Sequence, residues 1–468
     1  MSAWALRLYH QLPPGARSLA ATVRGRQLQR WRYGSETPRL VDEALARDRW
    51  SGEQWDGWQG ERLARLLQRA ATRVPFYREQ WQARRRRGDR ASVELLANWP
   101  LLDKQTVRAN ARALVADDRD RRRLLHEHTS GTTGTPLDLW LSRDAVRAWY
   151  ALFEARWRRW NGVSRSDRWA NAGGQLVVPV QQRTPPFWVW NGAQRQLYLS
   201  SYHLAPDLLP AYLEALRRYR VRYLWGYASS LAALAQAARD AGWTPPPLAV
   251  ALSNAEPLSP GQRALIGDAF GCPVRETYGM SEAVVAASEC EAGRLHLWPD
   301  AGVLEVVDDD GRASAASGEL VCTGLLNPDM PLIRYRVGDR GQLADARVRC
   351  ACGRGLPVLA QVEGRSDDVL FTRDGRRVGR LDPVFKGSLP VREAQIVQER
   401  LDAVRLRLVP APGYTDATAA EIVARLRERL GDVAVTVETV PEIPRGRNGK
   451  LRAVVCALPP GERPPVRA

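Results

Sequence analysis

HTSGTTGTP, residues 128–136, sets two glycines and five hydroxyl side chains in nine positions and closes on a proline. Such a stretch is costly to order, because glycine loses more conformational freedom on folding than any other residue. Gly131 and Gly134 can take backbone angles that aim several N–H groups at one point, and Ser130, Thr132 and Thr133 add hydroxyl donors. The result is an anion nest suited to a polyphosphate. It is not a Walker loop, since no Gly-Lys-Ser/Thr follows. Taken alone, a Gly/Thr-rich hairpin turn accounts for it equally well.

Outward from this loop the chain changes character twice. Upstream, residues 1–125 read as mostly helical. EQWDGWQGERLARLLQRAATRV (53–74) repeats apolar residues at helical spacing, and Asp103 is placed to cap a helix within WPLLDKQTVRANAR. Downstream, LDLWLS predicts a strand and RDAVRAWYALFEARWRRW (143–160) an aromatic-rich helix. From about 165 to 345 strands (QLVVPV, RYLWGYA, PPLAVALSNAE) alternate with helices (PAYLEALRRYRV, SLAALAQAARDAG, SPGQRALIGDAFG). That order predicts α/β layers with a largely parallel sheet, followed by antiparallel hairpins around a DDDG turn. Near 364 the pattern becomes β-β-α-β, which predicts a small α+β domain. The expected division is a large domain over 1–364, a small one over 365–456, and a Pro-rich disordered tail over 457–468.

A chain of 468 residues suits two or three domains, and 44% hydrophobic content argues against wholesale disorder. No apolar run reaches the roughly 18 residues of a membrane span. The N-terminus lacks the apolar core of a signal peptide, and six cysteines are few, so a reducing cytoplasm is the expected compartment. Trp4, Leu6 and Leu8 are read as one face of a short helix packing on its own domain, with a membrane or partner surface as the alternative. The net charge of +17 is spread through pieces such as ARRRRGDRA and DDRDRRRLL, read as solvated helix faces. Without a nucleic-acid motif, nucleic acid is not the expected partner. Only three of the 69 basic residues are lysines, namely Lys104, Lys386 and Lys450. In a chain that uses arginine for plain positive charge, a lysine marks a place for a compact charge on a flexible stem, or survives by chance.

Four further stretches carry chemistry. YGMSEA (278–283) offers an aromatic ring and a glycine to lie under a base, and Glu282 to hold Mg2+ against phosphates. RYRVGDR (334–340) offers Asp339 after a glycine turn, where a carboxylate can grip vicinal hydroxyls. GRSDD (364–368) sits at the domain junction, and PRGRNGKLR (444–452) puts Lys450 on a Gly-rich loop of the small domain. In this order and spacing the set resembles the adenylate-forming superfamily of acyl-CoA synthetases, adenylation domains and luciferases. SNAEPL, RYRVGD, GRSDD and the cysteine pattern make it similar to the phenylacetate–CoA ligase and CapK-like branch, over roughly 95–455.

The resemblance implies an ATP-dependent activation of a carboxylic acid to acyl-AMP, followed by transfer to a thiol such as CoA or to an amine. It implies that Ser130, Gly131, Thr132, Thr133 and Gly134 wrap the β- and γ-phosphates, and that Asn254, Ala255 and Glu256, with Tyr278, Gly279 and Ser281, form the adenine pocket. Glu282 would ligate Mg2+, Asp339 the ribose hydroxyls, and Arg365 the ribose or phosphate. Asp367 would be the hinge of the small domain, and Lys450 would bridge the acyl carboxylate and the α-phosphate. Two departures stand out. The family's phosphate loop often ends Gly-Lys-Pro, whereas Thr135 stands here, which implies weaker ATP binding. The stretch VLFTRDGRRVGRLDPVFKG replaces a Gly-Val-Asn-Val-Phe-Pro-like segment and leaves the acceptor open; Lys386, within it, is read as a surface lysine.

Cys290 and His296, with Cys350 and Cys352, offer three thiols and an imidazole, a common tetrahedral zinc set. Similar patterns in this branch imply a closed structural site; ordinary buried cysteines, as expected for Cys272, Cys322 and Cys456, are the alternative. His126 is assigned a polar loop role, while His128 and His203 are placed facing the cleft. Trp188, Trp190, Trp225 and Tyr227 either line an aryl-acid pocket or belong to the core. Two rival functions stay open: an adenylyltransferase or amide-forming enzyme of the CapK type, and a non-catalytic basic protein that binds nucleic acid or membrane.

Overall fold

Upstream of residue 125 the helical periodicity becomes α1 (Ala3–Gln11), α2 (Pro14–Arg32), α3 (Thr37–Arg47), α4 (Gly52–Arg73), α5 (Pro75–Arg86) and α6 (Lys104–Ala109). This is a computed structural model. It describes the chain except residues 1–2, 129–136, 205–206, 256–257, 259, 309, 346, 364–369, 375, 379–380, 386–388, 442, 444–453 and 464–468. Ser51 and Gln54 form a capping box at α4. The Asp103 carboxylate caps α6 by accepting from Thr106 N at 2.8 Å.

The hydroxyl loop leaves β1 (Leu125–His128) and returns into β2 (Asp138–Leu141), an antiparallel pair. After it, α7 (Arg143–Leu152) does not run on to residue 160 as one α-helix. It widens into a π turn over Phe153–Arg158, where Glu154, Arg156 and Arg158 are buried. Arg156 Nε lies 2.8 Å from Asp48 Oδ1, and its other end makes a charge contact with Asp300. Arg158 Nε donates to Tyr223 Oη at 2.8 Å. The widened turn thus fastens the N-terminal helices to the sheet.

That sheet holds twelve strands in the order β11-β12-β13-β14-β10-β9-β8-β7-β6-β3-β5-β4. They are β3 (Trp169–Gly173), β4 (Trp188–Asn191), β5 (Gln196–Ser200), β6 (Tyr223–Tyr227), β7 (Val250–Asn254), β8 (Val274–Gly279), β9 (Ala286–Glu289), β10 (Leu295–Leu297), β11 (Gly302–Val307), β12 (Gly318–Gly324), β13 (Tyr335–Leu343) and β14 (Val358–Glu363). Strands β5, β3, β6, β7 and β8 pair in parallel, with α8 (Leu209–Arg218), α9 (Ala228–Asp240) and α10 (Pro260–Phe270) covering one face. The other face packs on Val41, Ala44, Trp157 and Trp298. From β8 onward every pair is antiparallel, so the parallel run is one half of a mixed α/β sheet.

The apolar run QLVVPV is not the strand its composition predicts. Strand β3 lies just before it, and although Val177, Val178 and Val180 are buried, residues 175–180 form no strand. Their acceptors are taken by side chains: Tyr9 Oη donates to Val177 O at 3.1 Å, His10 lies 3.0 Å from Leu176 O, and His203 Nε2 lies 3.1 Å from Pro179 O. Backbone groups satisfied in this way have no need of a ladder.

Beyond the short hairpin of β15 (Leu370–Phe371) and β16 (Arg377–Val378), a second sheet has the order β19-β18-β17-β20, with α11 packed on it. Its elements are β17 (Val391–Arg400), β18 (Ala403–Pro410), α11 (Asp416–Leu430), β19 (Ala434–Thr439) and β20 (Val454–Cys456). Its core takes in Val180 and Tyr202 from the large unit. Buried Arg376 donates to Tyr202 O across the same seam. The segment after β20 does not read as a disordered tail up to Arg463. Ala457 N donates to Gln398 O at 2.8 Å, and Leu458 is buried. Among the described residues no helix is long and apolar enough to cross a membrane.

Candidate active site and cysteine–histidine cluster

The parallel strands end together at Gly173, Ser200, Tyr227, Asn254 and Gly279, and polar groups collect there. This is the edge at which open α/β sheets bind ligands. With its amide nitrogen donating to Gly226 O at 3.0 Å, Asn254 accepts from Trp225 Nε1 at 2.5 Å. Thr277 Oγ1 donates to Ser253 O at 2.8 Å and ties β8 to β7. Ala255, immediately after β7, sits at φ 65°, and Ala283 at φ 54°. Left-handed alanines are strained, and here two of them bracket the polar edge.

Asp339 reaches this edge from the antiparallel half. Opposite the single residue Leu320, strand β13 carries a bulge between Arg336 and Arg340, and Gly338 at φ 85° supplies the left-handed turn. The bulge presents the Asp339 carboxylate, which accepts from Tyr278 Oη at 2.8 Å. Strands β13 and β8 are not neighbours, so the antiparallel half must curl back for this contact to exist.

Glu282 lies just past β8, with its side chain 8% exposed. Tyr335 Oη donates to Glu282 Oε1 at 3.1 Å, and Lys104 Nζ lies 3.8 Å from the same oxygen. Leu102 brings that lysine in by backbone pairing. Its N–H donates to Arg334 O and its carbonyl accepts from Arg336 N, each at 2.9 Å, so the segment runs alongside β13. Neither Lys104 nor Tyr335 was assigned a role from sequence. The scarcity of lysine was the available signal for the first; nothing local distinguishes the second.

The structure therefore brings Asn254, Ala255, Tyr278, Gly279, Ser281, Glu282 and Asp339 into one region with Lys104. Ser130, Gly131, Thr132, Thr133, Gly134, Glu256, Arg365, Asp367, Lys386 and Lys450 lie outside the described residues. His203 does not face a cleft. It is fully buried, stacked on Phe187 at 5.1 Å, with Nδ1 2.8 Å from Ser200 Oγ. Burial, with Arg376 nearby, lowers its pKa to about 4, so it is a neutral core histidine. Trp225 is likewise core. Trp188 and Trp190 pack partly buried beside α8, and Tyr227 Oη accepts from Gly174 N at 3.1 Å.

On the antiparallel half, the ligand atoms of Cys290, His296, Cys350 and Cys352 all lie within 4.8 Å of one another. The Sγ atoms of Cys290 and Cys350 are 3.7 Å apart, and Cys352 Sγ is 3.3 Å from His296 Nε2. Tetrahedral zinc with Zn–S near 2.3 Å needs donor separations of roughly 3.3–3.8 Å, so the donors fit. His296 Nδ1 bonds Leu356 O at 3.0 Å, which fixes the tautomer and leaves Nε2 turned to the sulfurs. Burial holds His296 below its usual pKa and, through desolvation, pushes the Cys290 thiol up to about 12. Desolvation also acts upward on Cys352, but hydrogen bonds from Arg354 and the neighbouring thiols outweigh it and lower that pKa. Gly355 seats the cysteine loop on the N-terminal helices. Its N–H donates to Asp48 O at 2.9 Å, and a Cβ there would lie 1.7 Å from Trp50 O. Cys272 and Cys322 are ordinary buried thiols, and Cys456 is half-buried.

Residues 56–326 match the AMP-binding enzyme family, and residues 370–457 match the CapK C-terminal domain. Protein CapK of Staphylococcus aureus is 25% identical over 96% of this chain and 98% of its own length. Phenylacetate-coenzyme A ligase of Thermus thermophilus is 27% identical over 85% of this chain and 95% of its own. Among solved structures, 2-hydroxyisobutyryl-CoA ligase in its postadenylation state with 2-HIB-AMP superposes with a TM-score of 0.55 at 22% identity. That alignment covers 88% of this chain and 91% of the ligase, and it speaks to the fold.

Proposed function

The chain belongs to the AMP-binding enzyme family, in the CapK and phenylacetate–CoA ligase branch of the adenylate-forming superfamily, and we propose that this AMP-forming ligase works through the polar edge described above. In the first half-reaction a carboxylate oxygen attacks the α-phosphorus of ATP, the bond to the β-phosphate oxygen breaks, and acyl-AMP and pyrophosphate result. In the second, a thiol attacks the acyl carbon and AMP leaves. The observation that carries the reading is the convergence of Tyr278–Asp339 and Glu282–Tyr335–Lys104 at the carboxyl ends of the parallel strands.

The roles follow from charge. Two anions meet in the first step, so the barrier is largely electrostatic and positioned positive charge lowers it. Asp339 grips the ribose hydroxyls, while Asn254, Ala255, Glu256, Tyr278, Gly279 and Ser281 bound the adenine. Ser130 to Gly134 wrap the phosphates, and Arg365 adds a contact to the ribose or phosphate. The carboxylate of Glu282 is the residue to hold Mg2+, which when bound neutralises phosphate oxygens. Lys450 arrives on the small domain, which swings at Asp367 between units spanning 1–364 and 365–456. Cys290, His296, Cys350 and Cys352 hold zinc structurally, with no position open to substrate. The reaction takes place in the cytoplasm.

CoA is the acceptor favoured by the phenylacetate–CoA ligase relatives. An amine or a bare adenylyl transfer is the second reading, favoured by the match of 370–457 to a CapK domain where the family pattern departs. Acid-dependent pyrophosphate release across a panel of aryl and aliphatic acids tests the first half-reaction. Lys450→Ala should lower it about 10²–10³-fold. No release with any acid, or a variant as fast as wild type, would overturn the proposal. Thioester against amide formation from preformed acyl-AMP then separates the two acceptors.

A further inference from the structure

Two of the five histidines in the chain stand on one strand, two residues apart, at the stem of the hydroxyl-rich hairpin. Side chains at i and i+2 of a strand share a face, so His126 and His128 project together. Across the ladder, His128 pairs in register with Asp138 and His126 with Trp140. His126 Nε2 and His128 Nδ1 each lie 2.9 Å from the same oxygen, Asp138 Oδ1. The three ligand atoms all fall within 4.8 Å of one another.

We propose that His126, His128 and Asp138 form a second metal site, for a borderline divalent transition ion such as Zn2+, at the neck of this hairpin. Two imidazoles and one carboxylate favour Zn2+, Co2+, Ni2+ or Cu2+ over the oxygen-seeking Mg2+ and Ca2+. With Zn–N and Zn–O near 2.0–2.1 Å, neighbouring donors sit about 3.3 Å apart. The observed separations of 2.9 Å need to open by only a few tenths of an ångström.

One ligand is already oriented. The His126 ring stacks on Trp140 at 4.7 Å with 4° between planes. Trp140 is itself held, since its carbonyl accepts from Asn327 Nδ2 at 2.9 Å and its N–H points at Met330 Sδ. All three side chains are partly exposed, at 36–43%, so an ion can enter from solvent and keep open coordination positions. This differs from the cysteine–histidine cluster, whose four donors close on one another.

The placement gives the site a task. Residues 129–136 lie between His128 and Asp138, so a bound ion would join the two strands at the last pair before the loop. An ion held at that neck fixes the separation of the two strand ends, and fixed ends lower the entropy cost of anion binding by a segment that joins them. This second part rests on the reading of the loop as an ATP phosphate cradle; the metal site itself does not.

The count of bound metal tests the first part. Wild-type protein stripped with chelator and reloaded with Zn2+ should hold two equivalents. His126→Gln/His128→Gln should hold one, and after chelator stripping it should melt where stripped wild type melts, because both side chains are partly exposed. Cys350→Ser should lose the other. Loading with Co2+ distinguishes them by spectrum, because only the cysteine site gives thiolate-to-metal charge-transfer bands. A double variant that keeps both equivalents, or wild type holding only the thiolate-bound one, would overturn the site. For the second part, Zn2+ should tighten ATP binding to wild type and leave the double variant unmoved. Metal bound with no change in ATP affinity would overturn the link to the loop, while leaving acid-dependent pyrophosphate release untouched as a separate test.

Discussion

The polar edge at residues 278–339 and the cysteine–histidine cluster belong to one twelve-stranded sheet, yet they are assembled in opposite ways. At the edge, Asp339 accepts from the Tyr278 hydroxyl and Glu282 from the Tyr335 hydroxyl, with the Lys104 ammonium 3.8 Å from Glu282. The groups come from the end of β8, the bulge of β13 and the start of α6, which join different parts of the chain. In the cluster, donors from the end of β9, from β10 and from a C-x-C loop converge within 4.8 Å of one another, with Cys290 and His296 buried and Cys352 half-buried. Carboxylates gathered from separate elements at the carboxyl ends of parallel strands suit the proposed binding of a ligand. An arrangement that saturates its donors is built to hold chain segments together.

That contrast separates rate from stability, and substitutions can break it. The largest effect belongs to Glu282→Gln, which should lower acid-dependent pyrophosphate release about 10²–10³-fold. Its melting temperature should match wild type. A large loss of stability instead would make Glu282 a structural carboxylate. Cys350→Ser should do the reverse, costing about 2–4 kcal/mol of stability, the range for losing a structural tie. Turnover measured below its transition should persist, and chelator should destabilise wild type but not this variant. Equal losses of rate in both variants would erase the contrast.

A smaller effect sharpens the edge itself. Lys104→Met removes the ammonium beside Glu282 and should slow turnover about tenfold, the worth of roughly 1.4 kcal/mol. Full activity in that variant would reduce the pair to a contact. A pH titration probes the seam between the two units. His203 has a pKa of about 4 when folded and about 6.5 when unfolded, so the unfolded chain takes up the proton first as pH falls. Stability should therefore drop between about pH 6.5 and 4, by up to about 3 kcal/mol, and His203→Gln should flatten that slope. A slope identical in both proteins would mean that other groups carry the acid sensitivity.

Much of this was legible in the sequence. Alternating apolar runs gave away the α/β half, and Asp103 was placed as a cap by a rule that acts over three residues. Cys290, His296, Cys350 and Cys352 were recognisable as a set because thiols are few and their chemistry is narrow. QLVVPV misled, since an apolar β-branched run says only that it will be buried. Whether it joins a ladder depended on Tyr9, His10 and His203 reaching its carbonyls. His203 misled for a related reason: a histidine in the polar stretch SSYHL looks available until Phe187 and Ser200 enclose it.

Residue order alone settled the caps, the helical periodicity and which functional groups exist, because these depend on neighbours within a few positions. Tertiary structure alone decided that Lys104 meets Glu282, that Asp339 reaches Tyr278, and that His126 and His128 share one carboxylate. Those meetings depend on strand register, on a bulge with a left-handed glycine and on the curl of a sheet. Such quantities are fixed by the packing of many distant residues at once, and no short window of sequence contains them.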